Sequence, residues 1–134
     1  FNGGKYPGHV DPANSSTYIN KYSVGDIMEY TYAPAGTHPF HMHVNPMQIT
    51  VFQPSASYGN WWQLGDWHDV LRLPFGGGRA QVRFKADRFD GTIVMHCHIL
   101  RHEDLGLMGV SIIGNHTETP VPVEYSPQYV HAHP

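Results

Sequence analysis

The sequence is poor in cysteine, in charge and in long apolar runs, and each shortage excludes a class of protein. Its single cysteine, Cys97, cannot form a disulfide within the chain. Only 14% of the 134 residues are charged, the formal net charge is -3, and no basic run points to a nucleic-acid partner. No apolar stretch approaches the roughly 20 residues that a membrane-spanning helix needs. The length suits one domain with a core of its own.

The first residue and two short motifs give expectations about how the protein is processed. It begins at Phe1, without a methionine or a signal peptide, which predicts a processed product or a fragment. Asn14 and Asn115 begin the sequons Asn14-Ser15-Ser16 and Asn115-His116-Thr117. The sequons predict a secreted, glycosylated protein.

Short alternating runs predict an all-β fold. Fourteen glycines and 11 prolines are spread between these runs as turn residues. The period of two argues against helices. We predict one domain over residues 1–118 and a Pro- and Tyr-rich tail over 119–134. Three runs with their predicted inward-facing residues are Asp26 to Tyr32 with Met28, Tyr30 and Tyr32; Met47 to Phe52 with Met47, Ile49 and Val51; and Arg79 to Lys85 with Ala80, Val82 and Phe84.

Six of the eleven histidines lie in two short segments, and the only cysteine lies in the second. A thiolate among imidazoles is a soft, nitrogen-rich ligand set that suits copper best. Zinc is the rival metal, but its closed tetrahedral site would leave a second set of histidines unexplained. The segments are Thr37-His38-Pro39-Phe40-His41-Met42-His43 and Met95-His96-Cys97-His98-Ile99-Leu100-Arg101-His102.

The alternation of side chains along a strand divides these residues between two sites. Cys97 points away from both of its histidine neighbours. His41 and His43 share one side, and His38 has the opposite parity. The simplest arrangement has two groups, the first with the composition of a blue-copper electron-transfer centre. These groups are His38, Cys97 and His102, and His41, His43, His96 and His98.

The two segments resemble the copper motifs of the last domain of multicopper oxidases, the laccase family. The motifs here are His38-Pro39-Phe40-His41-Met42-His43 and the run from His96 to Met108, with weaker similarity at Val24-Gly25-Asp26 and Asp90-Gly91. The resemblance covers most of the chain up to about Ile113. It implies a cupredoxin-like fold, which is a Greek-key β-barrel or sandwich.

The resemblance also implies roles for the candidate residues. The group of His38, Cys97 and His102 would bind a type 1 copper that takes electrons from a small reducing substrate. The histidines at 41, 43, 96 and 98 would supply half of a trinuclear copper cluster that reduces dioxygen to water. Leu107 stands where the family places the axial position of the type 1 copper. Leucine cannot ligate, so a raised potential is expected. Its neighbour Met108 should point away and pack as an ordinary apolar residue.

The chain differs from the family in size. The family cluster uses eight histidines and lies between two cupredoxin domains, whereas this chain offers four at matching positions. The remaining histidines include one further H-x-H pair, at His131 and His133 in the tail. The resemblance therefore predicts a second cupredoxin chain or domain that supplies the other cluster histidines. It also predicts that the first strand or strands of a complete barrel are missing here.

Two functions of different classes remain open from the sequence. One is an oxidase in which copper passes electrons to dioxygen. The other is a non-enzymatic blue-copper protein that carries electrons or binds copper at the type 1 site alone. The second function gives no role to the four cluster-type histidines, so the sequence favours the oxidase.

Overall fold

Nine strands and one short helix make up the part of the chain that the structure describes. The structure is a computed structural model and describes residues 18–32, 38–53, 61–72, 78–87 and 89–114. No helix in these ranges is long and apolar enough to cross a membrane. The elements are β1 (Tyr18–Tyr22), β2 (Ile27–Tyr32), β3 (Pro39–Met42), β4 (Met47–Gln53), β5 (Trp67–His68), β6 (Val70–Arg72), β7 (Arg79–Lys85), β8 (Gly91–Cys97), α1 (Leu100–Asp104) and β9 (Met108–Ile113).

Several predictions from the sequence fall outside these ranges. The sequons at Asn14 and Asn115, the domain boundary at residue 118 and the tail at 119–134 are among them. Secretion and glycosylation therefore stay predictions.

The strands form two sheets that pack as a sandwich. The first sheet has the strand order β1-β9-β8-β3-β6, and the second has the order β2-β7-β4-β5. Strand β1 is parallel to β9, and β8 is antiparallel to both β3 and β9. This arrangement confirms the predicted all-β, cupredoxin-like fold.

Alternating apolar residues of the second sheet fill one side of the core. In β7, Ala80, Val82 and Phe84 are fully buried between residues that are exposed or only partly buried. In β2, Met28, Tyr30 and Tyr32 turn towards the same core. The period-two prediction is confirmed for both strands. Burial of Phe84 contributes roughly 1.5–3 kcal/mol to folding, as for any large apolar side chain removed from water.

The prediction that Val51 faces inward is wrong. Strand β4 begins with the buried residues Met47 and Ile49, but its pairing with β7 shifts between Ile49 and Val51. The extra residue of this bulge reverses the alternation, since each residue past it takes the opposite side. Val51 therefore lies opposite the outward-facing Gln81, while Phe52 lies opposite Ala80 and packs against the core.

The structure adds one short helix to the predicted all-β fold: α1, which joins β8 to β9. The five residues Leu100–Asp104 form a single helical turn, with no buried member. The amides of His102 and Glu103 both donate to the carbonyl oxygen of Ile99, at 2.8 and 3.0 Å. A turn this short leaves no helical periodicity for sequence analysis to detect.

Gly114 lies where the end of β9 closely approaches the start of β8. Its φ is +84°, and an added Cβ would lie 2.7 Å from the Cβ of Asp90. We expect Gly114→Ala to lower the free energy of unfolding by about 2–4 kcal/mol, because steric overlap adds to backbone strain. Gly65→Ala is the matched control, since its φ is +91° and no atom lies within 4 Å of the added Cβ. Urea unfolding of both variants measures the difference, and equal losses would contradict the steric argument.

Candidate metal centre

The pairing of β3 with β8 brings the two histidine motifs together. His41 lies directly opposite His96, and Phe40 lies directly opposite Cys97. Residues that lie opposite each other in an antiparallel pair share one face of the sheet. The two histidines are therefore on the outer face of the sandwich, while Cys97 is buried on the core face beside Phe40.

The first group consists of His38, Cys97 and His102. The sulfur of Cys97 is 3.4 Å from Nδ1 of His38 and 3.6 Å from Nδ1 of His102. The two Nδ1 atoms are 3.1 Å apart. Three potential ligand atoms thus converge at one point, with the thiol buried and both imidazoles partly exposed.

The backbone around α1 fixes this first group. The amide of Cys97 donates to the carbonyl oxygen of Leu107 at 3.0 Å. The amide of Leu107 in turn donates to the carbonyl oxygen of His102 at 2.8 Å. Leu107 thereby ties the end of β8 to the helix that carries His102. Met108 lies opposite His96, on the outer face. Leu107 directly precedes β9, and a continued alternation would turn its side chain to the side of Cys97.

The second group lies on the outer face of the first sheet. His41, His43 and His96 each offer a ring nitrogen, and these three atoms all lie within 4.8 Å of one another. The Nε2 atoms of His43 and His96 are 3.2 Å apart. His98 lies beside these three, with its ring centroid 5.3 Å from that of His41 and 5.7 Å from that of His96.

Acceptors beside Nδ1 favour, in two of these histidines, the tautomer with its lone pair on Nε2. Nδ1 of His41 is 2.9 Å from the carbonyl oxygen of Asp69. Nδ1 of His96 is 3.0 Å from the carbonyl oxygen of Cys97 and 3.2 Å from Oε2 of Glu103. A neutral imidazole that donates from Nδ1 carries its lone pair on Nε2. Metal-binding histidines commonly donate their other ring N–H in this way, which fixes the ring and its tautomer.

The second group is polar, crowded and partly open to solvent. His96 is buried, His41 is partly buried, and both His43 and His98 are exposed. The pKa of His43 is lowered from its usual value, first by desolvation of the ring and then by the neighbouring imidazoles of His41 and His96. A lowered pKa keeps the imidazole neutral at physiological pH, which is the form that binds a metal.

The donor atoms of the first group fit a copper ion. A point equidistant from the three atoms lies about 2 Å from each, close to the roughly 2.0–2.3 Å of metal–nitrogen and metal–sulfur bonds in protein sites. Two imidazoles and one thiolate in a trigonal arrangement match a blue-copper centre.

Two residues that contact histidines of the second group were not identified as such from the sequence. Asp69 contributes its backbone carbonyl to His41, and a backbone contact of this kind leaves no residue-type signal. The carboxylate of Glu103 contacts His96, seven positions earlier in the chain, and the sequence analysis did not identify this contact.

The fold and the two groups define a class of protein: a cupredoxin-like sandwich with a thiolate-imidazole site inside and an imidazole cluster on one face. The family model described as multicopper oxidase matches residues 11–117. The chain belongs to the multicopper oxidase family, which confirms the resemblance found in the two motifs and implies copper as the metal.

Curated relatives agree with this family. A multicopper oxidase of Staphylococcus haemolyticus is 31% identical over 116 residues, which is 81% of this chain and 23% of the relative. Laccase-1 of Agaricus bisporus is 28% identical over 107 residues, which is 80% of this chain and 19% of the relative. The chain thus spans about a fifth of the length of these relatives.

Solved structures support the fold. The McoA multicopper oxidase of Aquifex aeolicus superimposes with a TM-score of 0.66 at 22% identity, over 85% of this chain and 26% of that chain. A multicopper oxidase of Campylobacter jejuni, described as a metallo-oxidase, gives a TM-score of 0.61 at 24% identity, over 73% of this chain and 21% of that chain.

Proposed function

We propose that this chain is the part of a multicopper oxidase that holds the type 1 copper and half of a trinuclear copper cluster. His38, Cys97 and His102 would hold the type 1 copper, and the cluster ligands would be His41, His43, His96 and His98. When bound, copper supplies one-electron transfer from a reducing substrate and the reduction of dioxygen to water. The observation that carries the proposal is the convergence of both groups on the two sides of one strand pair.

Within this function, His102 would present the edge at which the reducing substrate docks. It is partly exposed on α1, and it lies between Leu100 and Leu105, whose exposed fractions are 71% and 58%. These exposed leucines could contact a small donor with an aromatic or otherwise apolar body.

Cys97 and His96 would form the short route between the two metal sites. They are neighbours on β8 and point to opposite faces of the first sheet. The path from the sulfur to the imidazole of His96 therefore consists of a few covalent bonds. The hydrogen bond between Nδ1 of His96 and the carbonyl oxygen of Cys97, at 3.0 Å, adds a second connection.

The second group supports the oxidase over a simple electron carrier. A carrier needs the thiolate site alone, yet four histidines gather on the outer face with ring nitrogens as close as 3.2 Å. A carrier with a thiolate site alone leaves these four imidazoles without a role, whereas a metal cluster uses them as ligands.

We further propose that a second cupredoxin chain or domain covers this outer face. Family resemblance gives the cluster eight histidines, and this chain has four at matching positions. The exposed positions of His43 and His98 leave room for a facing surface that carries the remaining ligands. Dioxygen would then react between the two surfaces.

The thiolate bond to copper has a direct optical signature. We expect the copper-loaded chain to be blue, because charge transfer from the Cys97 sulfur to cupric ion absorbs visible light. Cys97→Ser should abolish this band and leave the fold intact. Absorption spectra measure the band and circular dichroism checks the fold. A loaded, folded wild-type chain without an intense visible band would refute the type 1 assignment.

Leu107 should set the potential of the type 1 site. We expect Leu107→Met to lower the reduction potential, because a thioether sulfur adds a weak axial ligand that stabilises cupric ion. Met108→Leu is the matched control, since Met108 lies opposite His96 on the outer face. Redox titration compares the three proteins. An unchanged or raised potential in Leu107→Met would show that this side chain does not face the copper.

Copper content tests the half-cluster. We expect the isolated chain to hold its type 1 copper firmly and its cluster copper weakly, since each cluster ion lacks part of its ligand set. The full complement should appear only with the facing chain or domain. Mass spectrometry of the native assembly, with copper counted per chain, measures this. A complete trinuclear cluster bound by the isolated chain would contradict the need for a partner.

A further inference from the structure

Glu103 connects the two groups of candidate ligands. It follows His102 directly in the sequence, and its Oε2 atom is 3.2 Å from Nδ1 of His96. The side chain of His96 is only 8% exposed, whereas that of Glu103 is 32% exposed. The carboxylate thus reaches from the helix of the first group to the most buried histidine of the second.

The backbone of Glu103 is fixed at both ends. Its amide donates to the carbonyl oxygen of Ile99 at 3.0 Å, and its own carbonyl oxygen accepts from the amide of Gly106 at 2.8 Å. These bonds fix the position of the Glu103 Cα atom, from which the carboxylate reaches His96. The carboxylate is therefore presented to His96 by the turn itself.

We propose that Glu103 is a positioning residue that holds the imidazole of His96 in its metal-binding orientation and tautomer. This inference rests on the proposed function only in taking the ligand of His96 to be copper. The carboxylate lies 3.2 Å from Nδ1 and favours a hydrogen there, which leaves the lone pair on Nε2, the atom 3.2 Å from Nε2 of His43.

The nearby carbonyl of Cys97 does not make the carboxylate redundant. That carbonyl oxygen is 3.0 Å from the same Nδ1 and accepts its hydrogen bond, while Oε2 of Glu103 lies 3.2 Å from it. The carbonyl also belongs to the adjacent residue and moves with His96, whereas Glu103 ties the ring to a separate element.

Two conservative variants separate position from charge. Glu103→Gln removes the charge but keeps an acceptor oxygen at the same reach. Glu103→Asp keeps the charge but shortens the side chain by one methylene, which withdraws the oxygen from Nδ1. A positioning role predicts that Gln resembles the wild type and that Asp does not, whereas a role of charge alone predicts the reverse. Asp104→Asn is the matched control, because Asp104 is the exposed acid next in sequence.

The first measurement needs no metal. Long-range proton–nitrogen NMR of the metal-free, nitrogen-15-labelled chain reports which ring nitrogen of His96 carries the hydrogen. We expect Nδ1–H to predominate in the wild type, in Glu103→Gln and in Asp104→Asn, and a mixture of tautomers in Glu103→Asp.

The second measurement is the affinity for cupric ion, determined by competition with a chelator. It is made in a Cys97→Ser background so that the thiolate site does not contribute. We expect Glu103→Asp to bind cupric ion roughly 10- to 100-fold more weakly.

The outcomes distinguish this inference from the proposed function. A His96 tautomer that is the same in Glu103→Asp as in the wild type would overturn the positioning role, as would Gln and Asp variants with equal tautomer mixtures. If Glu103→Asp does not fold, a mixed tautomer in folded Glu103→Gln still overturns it. A wild-type chain that binds no copper would refute the proposed function, while the metal-free NMR result would still decide the role of Glu103.

Discussion

The register between β3 and β8 is the constraint on which both candidate sites depend. It places His41 opposite His96 and Phe40 opposite Cys97. A slip of one residue would turn every side chain of a strand to the other face and would separate both groups. Burial holds the register, because Met42 lies opposite Met95 and each is only 1% exposed. The apolar core and the candidate metal sites are thus fixed by the same strand pair.

Strand β8 has one face towards the core and one face outward, so it can carry residues of two different candidate metal sites. Neighbouring residues of β8 point to opposite sides, so Cys97 reaches the dry side and His96 the outer side of one sheet. A thiolate is kept away from solvent and from oxidation when it is buried, whereas the histidine face stays open to a facing surface. The short helix after β8 serves both sides: His102 meets the thiol and Glu103 meets His96.

Strand parity predicted which residues face the core and how the histidines are grouped, because the motifs are dense and the strands are regular. The alternation in β2 and β7 was predicted correctly, and the two histidine groups found in the structure have the membership that parity gives, with His98 at the margin of the second. The errors have local causes. The bulge between Ile49 and Val51 reverses parity without a sequence signal, and α1 is too short to show a helical period.

The sequence by itself determined the types of the candidate ligands, their spacing and the opposite sides taken by His96 and Cys97, since these depend only on local backbone geometry. It also determined the family, through two long motifs. The tertiary structure alone decided which atoms meet. His38 and Cys97 are 59 positions apart, and His43 and His96 are 53 apart. Contacts over such separations depend on sheet register and core packing, which are set by the whole chain. The same is true of the ring nitrogens: the carbonyl of Asp69 and the carboxylate of Glu103 select them only once β6 and α1 are packed beside the histidines.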